Sequence, residues 1–237
     1  MILAIDTSIG TSVALLDADG TLLAERASAD PRGHAEAIGL LLSSLFRRIG
    51  GDEDVLHAYP PILLKNEGVA GVEGVTAVVV GMGPGPFTGL RVGIAAARAF
   101  AAGSGVPVWP VLSHDAVAAE AVGSTGEDAM SGRSRDAGVR GTGFAVVTDA
   151  KRREHYLTRY AGVEDGVPRR IGEPELVRFE ALEALGEDTI RPVAVSAAQL
   201  GRVALRRRAL GLATGPEQPQ YLREPDVTPS AAPKRVS

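Results

Sequence analysis

The chain has 237 residues, 45% hydrophobic and 23% charged, a composition typical of soluble globular proteins. Its formal net charge is −4, which excludes a whole-protein positive field that attracts nucleic acid. The lack of cysteine excludes disulfides, thiolate metal sites and a cysteine nucleophile. Asp6 interrupts the first apolar run, unlike a signal peptide, and no apolar stretch reaches the ~20 residues that span a bilayer. We therefore expect a cytoplasmic protein that does not bind membranes.

The N-terminal third predicts a meander of three antiparallel strands followed by a helix. ILAID, SVALL and TLLAERA are joined by short turns, among them the hairpin signal DADG. A helical period then follows, ending at Gly50, with apolar residues at Ile38, Leu41, Leu42, Leu45 and Ile49. Residues 51–74 show no steady period and predict a long, loosely structured connection. VTAVVVG predicts a strand buried on both faces.

The remaining chain predicts further alternation of strands and helices. VPVWPV is read as a strand and SHDAVAAEAV as a helix with Ser113 as its N-cap. GFAVVTDA, EHYLTRYA, GEPELVRF and PVAVS predict strands, and FEALEALG and AAQLGRVALRRRALGLA predict helices. We expect an α/β protein with mixed β-sheets flanked by helices. Its predicted parts are a lobe over 1–105, a lobe over 106–212 with a mobile loop at about 123–141, and a tail over 213–237 that partly packs back on the lobes.

The stretch GMGPGPFTGL, residues 81–90, looks like a phosphate-binding loop but lacks the chemistry of one. A P-loop needs a lysine after its last glycine, and no lysine lies within residues 66–150. The glycine spacing does not fit the dinucleotide fingerprint either. Pro84 and Pro86 have no backbone N–H to donate to a phosphate. The loop is therefore interpreted as a sharp turn from a strand into a helix.

The helix after this loop carries small residues every four positions, and larger side chains flank them. Such a stripe allows another helix to approach closely, which predicts a docking surface. The alternative is that this face packs inside its own domain. The predicted interface residues are Phe87, Gly89, Leu90, Arg91, Gly93, Ile94, Ala97, Arg98 and Ala101.

The segment DTSIGTS between the first two strands is similar to the phosphate hairpin of actin-like ATPases and sugar kinases. Asp6, Thr7 and Ser8 are candidate residues of a vestigial hairpin, since Ser8 stands where glycine is expected and Gly10 comes late. Asp6 could ligate Mg²⁺ through water, but an Asx-turn that closes the hairpin is the favoured interpretation.

Histidines and arginines offer few other candidate sites. His34 begins a helix, but the position four residues later is Ile38, so a helical metal pair is not expected; the other histidines, His57, His114 and His155, stand alone. The sequence has no G-x-S-x-G nucleophile elbow.

The basic segments are KRRE at residues 151–154 and the cluster Arg202, Arg206, Arg207 and Arg208. Outside the glycine-loop helix they are the plausible RNA-backbone contacts, although solvated surface is the commoner role of such clusters.

Several motifs together resemble the TsaB (YeaZ) family of bacterial tRNA threonylcarbamoyladenosine biosynthesis proteins. These are ILAIDTS…SVALL, HAEAIGLLL, GMGPGPFTGLRVGIAAARAFA, VVTDAKRREHYLTRY and PQYLREPD, in that order. Pro86 replaces the serine usual in this family, and residues 51–68 and 123–141 look longer than the family core. The resemblance implies a two-lobed actin-like ATPase (ASKHA, ribonuclease H-like) fold. It also implies a paralogue of the catalytic subunit TsaD that lacks the metal-binding histidine pair and a working nucleotide site. Ile38 in place of a second histidine agrees with the first loss, and Ser8 in the phosphate hairpin agrees with the second.

The resemblance further implies an accessory subunit, not an enzyme. Its partners would be TsaD and the ATPase TsaE, with a homodimer when TsaD is absent. That complex adds threonylcarbamoyl to the adenosine next to the anticodon of tRNAs that read codons beginning with A. This chain alone would bind no cofactor, whereas the complex uses ATP, Mg²⁺ and a metal in TsaD. The helix after the glycine loop resembles the family's interface helix.

Two other functions remain open at this point. An ATP-dependent phosphotransferase of the actin-like superfamily would need an adenosine loop in the second lobe, for which GTGFAVV is the nearest segment. A glycoprotease-like peptidase would need metal ligands, which the sequence does not supply as a recognisable set.

Overall fold

The first of two β-sheets is built from the N-terminal meander and two parallel strands. The computed structural model describes residues 1–30, 33–50, 74–123, 143–184, 186 and 188–223, without the side chains of 47–50. The strands of this first sheet are β1 (Ile2–Asp6), β2 (Thr11–Leu16), β3 (Leu22–Ser28), β4 (Ala77–Gly81) and β5 (Val108–Val111). Their order is β3-β2-β1-β4-β5, with β1–β2 and β2–β3 antiparallel and β1–β4 and β4–β5 parallel.

The second sheet is formed by the later strands, β6 (Phe144–Lys151), β7 (Glu154–Glu164), β8 (Val167–Arg178) and β9 (Thr189–Ile190). Their order is β8-β7-β6-β9. Strands β6, β7 and β8 form an antiparallel meander, and β9 pairs parallel to β6. The helices are α1 (His34–Gly50), α2 (Phe87–Ser104), α3 (Ser113–Gly123), α4 (Phe179–Glu183) and α5 (Ala197–Ala209).

Alternate residues of the central strands enter two different cores, which explains their continuous apolar runs. Leu3 and Ile5 of β1 pack with Leu90 of α2 and other residues of α1 and α2 on one face. Ile2 and Ala4 pack on the opposite face, in a cluster that includes α3, α5 and the second sheet. Helices α3 and α5 therefore lie between the two sheets, and α1 and α2 cover the outer face of the first. The predicted mixed α/β architecture is confirmed. No helix in the described residues has the length and apolarity to span a bilayer.

Three details differ from the sequence-based expectations. The strand at Val108–Val111 pairs with β4, so it belongs to the first sheet and not to a lobe that begins at residue 106. Helix α5 also packs against that sheet. No strand forms over 192–196, because the parallel partner of β6 is the preceding Thr189–Ile190. The connection predicted over 51–74 and the loop at 123–141 lie almost entirely outside the described residues.

The described part of the tail, residues 213–223, lies across both sheets. Gly215 approaches β5 so closely that a Cβ there would lie 2.7 Å from the carbonyl oxygen of Pro110. The amide of Gln220 donates to the carbonyl oxygen of Met82 at 2.8 Å, and the Arg223 Nη1 donates to the carbonyl oxygen of Ala150 at 2.8 Å.

The small-residue stripe of α2 packs inside its own lobe, which corrects the prediction that it faces a partner. A Cβ on Gly93 would lie 2.2 Å from Thr7 Oγ1, and one on Gly89 would lie 2.8 Å from the Thr7 carbonyl oxygen. The buried residues of α2 are Gly89, Leu90, Gly93, Ile94, Ala97 and Ala101. The close approach that glycine permits here is to the first hairpin of the same chain. Contact between α2 and a partner stays a prediction, and it now depends on the opposite face.

We expect Gly93→Leu to lower the free energy of unfolding by about 3 kcal/mol, because the added volume has to displace the buried Thr7 side chain and the hairpin that carries it. The matched control is Gly103→Ala in the same helix, where a Cβ meets nothing within 4 Å. That control should stabilise the protein by about 1 kcal/mol through helix propensity. Urea unfolding followed by circular dichroism measures both, and a Gly93→Leu protein as stable as wild type would contradict this packing.

Candidate functional site

The carboxylate of Asp6, at the end of β1, is enclosed by hydrogen bonds from within the chain. Its Oδ1 accepts from the amide of Ser8 at 2.8 Å and from Ser8 Oγ at 2.6 Å. Its Oδ2 accepts from Ser113 Oγ at 2.5 Å. The first of these bonds is the Asx-turn that the sequence favoured over a Mg²⁺ ligand. The side chain is 1% exposed, so no solvent-facing oxygen remains.

These residues do not fit a Mg²⁺-nucleotide site of the actin-like type. Burial raises the pKa of Asp6, while the hydrogen bonds from Ser113 and Ser8 oppose that rise. A divalent cation needs ionised carboxylates with accessible oxygens. Thr7 is engaged in the same way, since its Oγ1 donates to the Gly89 carbonyl oxygen at 2.8 Å. The side chains of Asp6, Thr7 and Ser8, predicted to be a vestigial phosphate hairpin, thus bond to one another and to other segments of the chain.

The glycine loop packs directly against this hairpin, which explains its composition. A Cβ on Gly81 would lie 1.9 Å from Asp6 Oδ2, and one on Gly85 would lie 3.0 Å from the Ser8 Cα. Gly83 adopts φ +86°, a conformation that favours glycine. Gly81 is required next to the buried carboxylate of Asp6, and Gly85 is required next to the backbone of Ser8. The loop therefore contacts its own chain at the place where a phosphate-binding loop would contact a ligand.

Ser113 is a site residue whose role differs from the one that the sequence predicts. The pattern predicts an N-cap of α3, but the Ser113 hydroxyl donates to Asp6 and accepts from the amide of Gly83 at 3.1 Å. Its own amide donates to the Gly83 carbonyl oxygen at 2.7 Å. Ser113 therefore links β1, the glycine loop and α3. A serine before a helix gives no sequence signal that separates this role from a cap.

His34 and His114 have hydroxyl partners inside the protein. His34 Nδ1 lies 2.9 Å from Thr11 Oγ1, and Ile38 of the same helix is part of the core. His114 lies between Thr158 and Thr148, with nitrogen–oxygen distances of 2.8 and 3.0 Å, and burial lowers its pKa to about 3. Within the described ranges, no three or more histidines and carboxylates cluster to form a metal site.

A buried carboxylate on α3, Asp115, organises a second polar cluster that the sequence did not reveal. It accepts from Tyr160 Oη at 2.9 Å and from Arg207 Nη2 at 3.0 Å, and Arg170 Nε lies 3.7 Å away. Burial raises the pKa of Asp115, and the two guanidinium groups oppose that rise. The cluster joins α3, α5 and the second sheet. Because the partners of Asp115 are far from it along the chain, no local sequence pattern predicts this cluster.

The arginines of α5 do not form one continuous basic surface. Arg207 pairs with Asp115, and Arg202 Nε donates to the carbonyl oxygen of Gly20 at 3.1 Å. Arg208 is exposed and its guanidinium lies 4.3 Å from the centroid of the Trp109 ring. Of the four arginines, Arg206 and Arg208 are exposed and the other two are half-buried. The prediction of an RNA contact here depended on four arginines that act together. Since Arg202 and Arg207 are engaged within the chain, their charges do not add to those of Arg206 and Arg208 at the surface.

The outer face of α2 carries what remains of the predicted interface. Phe87 is half-buried against Tyr221, with ring centroids 4.8 Å apart, and the guanidinium of Arg91 lies 5.1 Å from the Phe87 ring centroid. A shallow groove of about 310 Å³ is lined by Phe87, Thr88, Arg91, Val92 and Ala95. Arg98 is exposed and lines a separate groove of about 480 Å³ beside Trp109 and Arg208. Phe87, Arg91 and Arg98 are thus the predicted interface residues available at the surface.

Comparison with known proteins relates most of the chain to tRNA-modifying enzymes and their relatives. The family model of TsaD, tRNA N6-adenosine threonylcarbamoyltransferase, matches residues 63–186, more than half of the chain. A protein of that name from Streptococcus suis is 38% identical over 125 residues, which are 52% of this chain and 36% of that protein. An uncharacterised protein of Mycobacterium tuberculosis is 32% identical, over 97% of this chain and 95% of its own length.

Solved structures resemble the chain over most of its length. YeaZ from Pseudomonas aeruginosa matches with a TM-score of 0.64 and 21% identity, over 90% of this chain and 96% of YeaZ. A second structure, an uncharacterised protein with similarity to the peptidase YeaZ from the same organism, has a TM-score of 0.68 and 22% identity, over 94% and 99% of the two chains. These matches show the fold, and the predicted actin-like class is confirmed.

We expect the buried His114 to make the protein less stable in acid. Its pKa is about 3 in the folded protein and 6.5 when unperturbed, so only the unfolded chain takes up a proton as the pH falls below about 6.5. The free energy of unfolding then falls by about 1.4 kcal/mol per pH unit on account of this residue. His114→Gln should remove that dependence.

Urea unfolding of wild type and His114→Gln at pH 7 and pH 4.5 isolates the residue, because Asp6 and Asp115 are present in both proteins. Their raised pKa values act in the opposite direction, since those carboxyls take up protons more readily when folded. Equal losses of stability in the two proteins between these pH values would show that His114 is not held neutral.

Proposed function

We propose that the chain is a non-catalytic TsaB-type subunit of a threonylcarbamoyl-transfer complex. The chain belongs to the family of TsaD, tRNA N6-adenosine threonylcarbamoyltransferase. In that role it pairs with a TsaD-type catalytic subunit and supports it, together with a TsaE-type ATPase. The substrate of the complex is tRNA, at the adenosine next to the anticodon. The metal, ATP and Mg²⁺ belong to the other subunits, and the chain forms a homodimer when it lacks its partner.

The single observation that carries a non-catalytic role is the closure of the hairpin around Asp6. In an active actin-like enzyme, the corresponding hairpin must present a carboxylate and backbone amides to a nucleotide. Here both oxygens of Asp6 accept hydrogen bonds from Ser8 and Ser113, and the glycine loop fills the adjoining space. Opening that space would leave a buried carboxylate without partners, which costs several kcal/mol.

The extent of the likeness supports a separate subunit. The chain matches 96% of YeaZ but only 36% of the Streptococcus suis transferase. This chain shares the lobes of the enzyme, but its hairpin at Asp6 is closed. The surfaces through which two paralogues can pair are retained in such a chain. The outer face of α2 is the surface we assign to that pairing, because Phe87, Arg91 and Val92 offer an aromatic, a guanidinium and an apolar side chain around one groove.

The alternative functions find less support in the geometry. A phosphotransferase would need Asp6 to face solvent, whereas it is buried. Of its candidate adenosine loop GTGFAVV, the first two residues lie outside the described part of the chain, and Phe144 onward forms strand β6. A peptidase would need ligating or nucleophilic groups at a surface cleft, whereas His34 and His114 are buried and bonded to threonines.

We expect the double variant Arg91→Glu with Val92→Asp to lose binding to the TsaD-type protein of the same organism. It places two carboxylates in the groove, where a desolvated charge without a partner weakens association at least about tenfold. Arg169→Glu with Val193→Asp is the control with the same change of charge, because both residues are exposed and neither belongs to α2 or its groove. Size-exclusion chromatography of each mixture and circular dichroism melting of each variant are the measurements.

A folded double variant that still co-elutes with the TsaD-type protein as wild type does would exclude this face as the pairing surface. Transfer assays with tRNA, the threonylcarbamoyl adenylate and each protein alone or mixed test the wider proposal. Modification of tRNA by this chain without its partner would contradict a non-catalytic role, and full activity of the partner without this chain would contradict the supporting role.

A further inference from the structure

The second sheet contains two two-residue turns in which both central residues have positive φ, with very different residues at those positions. Between β7 and β8 the turn is Asp165–Gly166, with φ of +52° and +73°. Between β6 and β7 it is Arg152–Arg153, with φ of +53° and +64°. Hairpins of this type favour Asn-Gly, Asp-Gly or Gly-Gly, because both central residues need left-handed conformations. The first turn follows that preference, and the second does not.

The arginine turn is extended by a third left-handed residue. Lys151 has φ of +66°, so three consecutive residues with long side chains adopt a conformation in which Cβ crowds the backbone. Residues whose types disfavour the backbone conformation that they adopt mark a position where function outweighs stability. At this turn the three disfavoured side chains share one property, a positive charge.

Contacts from surrounding elements hold the turn in place and leave its tip exposed. Asp149 Oδ1 accepts from the amide of Lys151 at 2.7 Å, and Arg223 Nη1 donates to the Ala150 carbonyl oxygen. The amide of Phe179 donates to the Arg153 carbonyl oxygen at 2.9 Å. Lys151, Arg152 and Arg153 are all exposed.

Two carboxylates close to the turn pair with cations of this region, one pair exposed and the other half-buried. Asp149 Oδ2 lies 2.7 Å from Lys151 Nζ, in a pair whose side chains are 57% and 73% exposed, so the bond is weak and readily exchanged. Glu154 Oε2 lies 4.0 Å from Arg223 Nη1. The turn is therefore a fixed, solvent-facing group of cations on a chain whose net charge is −4. Guanidinium groups displayed in this way are suited to bidentate contact with phosphate oxygens.

We propose that the turn at residues 151–153 is an RNA-backbone contact, through which this chain holds tRNA phosphates for the transferase complex. This inference rests on the proposed function, which supplies tRNA as the polyanion. It assigns to the chain a direct part in substrate binding, in addition to support of a partner. The contact is independent of base sequence, since it reads phosphate and not base edges.

The decisive variant is Arg152→Asn with Arg153→Gly, which gives the turn the residues its backbone favours. We expect its melting temperature to rise by about 2–6 °C, because left-handed strain is relieved. We expect its affinity for a tRNA transcript to fall. The slope of log affinity against log salt should decrease in magnitude by about two, one for each phosphate that an arginine no longer neutralises. Fluorescence anisotropy across a salt series measures both, with this chain alone and with its TsaD-type partner.

Two control variants separate the turn from general charge. Arg169→Asn with Arg191→Asn removes the same charge from exposed positions elsewhere and should leave the salt slope unchanged. Arg152→Lys with Arg153→Lys keeps the charge and should retain most of the binding. A stabilised Asn-Gly variant that binds tRNA with the wild-type slope would overturn the proposal, and so would equal losses from the Arg169 and Arg191 control.

Two further outcomes would also count against it. If neither the chain nor its mixture with the partner binds tRNA, the turn is not an RNA contact. If the Asn-Gly variant loses binding to vesicles that contain phosphatidylserine but keeps binding to tRNA, the turn recognises a lipid surface instead. Co-elution with the TsaD-type protein is measured on the same samples. A variant that pairs normally but has lost tRNA affinity supports this inference, whereas failure of wild type to pair refutes the proposed function separately.

Discussion

A single buried carboxylate sets the arrangement of the first lobe. Asp6 ends β1, fixes the following turn through Ser8, and reaches the start of α3 through Ser113. The glycine loop must then pass so close to it that Gly81 has no room for a side chain. Because an unsatisfied buried carboxylate is costly, these segments hold one another in place. In an actin-like fold this is the place where a nucleotide would be held, and here the chain itself provides the partners.

That arrangement determines which surfaces remain for other molecules. The inner face of α2 is used to approach Thr7, so only its outer face, with Phe87 and Arg91, is available to a partner. Asp115 of α3 forms an ion pair with Arg207, so this arginine does not add to the exposed positive charge of α5. At the hairpin of 151–153, three consecutive cations are exposed on a turn whose backbone is held by contacts from neighbouring elements. Protein pairing and nucleic-acid contact are thereby assigned to different regions of the chain.

The sequence predicted local features well and contacts between distant segments poorly. The continuous apolar run of the predicted strand ILAID is explained by two cores on either side of one sheet, with Leu3 and Ile5 in one and Ile2 and Ala4 in the other. The Asx-turn at Asp6 followed from residues two positions apart. The stripe of α2 was identified, but its direction was not, because a helical period shows which residues share a face and not what covers that face. The roles of Ser113 and Asp115 depend on partners far along the chain, and no spacing rule reports them.

The tail over 213–223 has a consequence for association between copies of the chain. Strand β5 is an edge of the first sheet, and a strand edge with free backbone groups is a template for pairing with other chains. Pro110 removes one donor from that edge, and Gly215 brings the tail directly onto its carbonyl oxygen. The segment that contacts both sheets therefore also covers part of the outer edge of β5. Without residues 213–223, the backbone groups of that edge would be exposed to pairing with another chain.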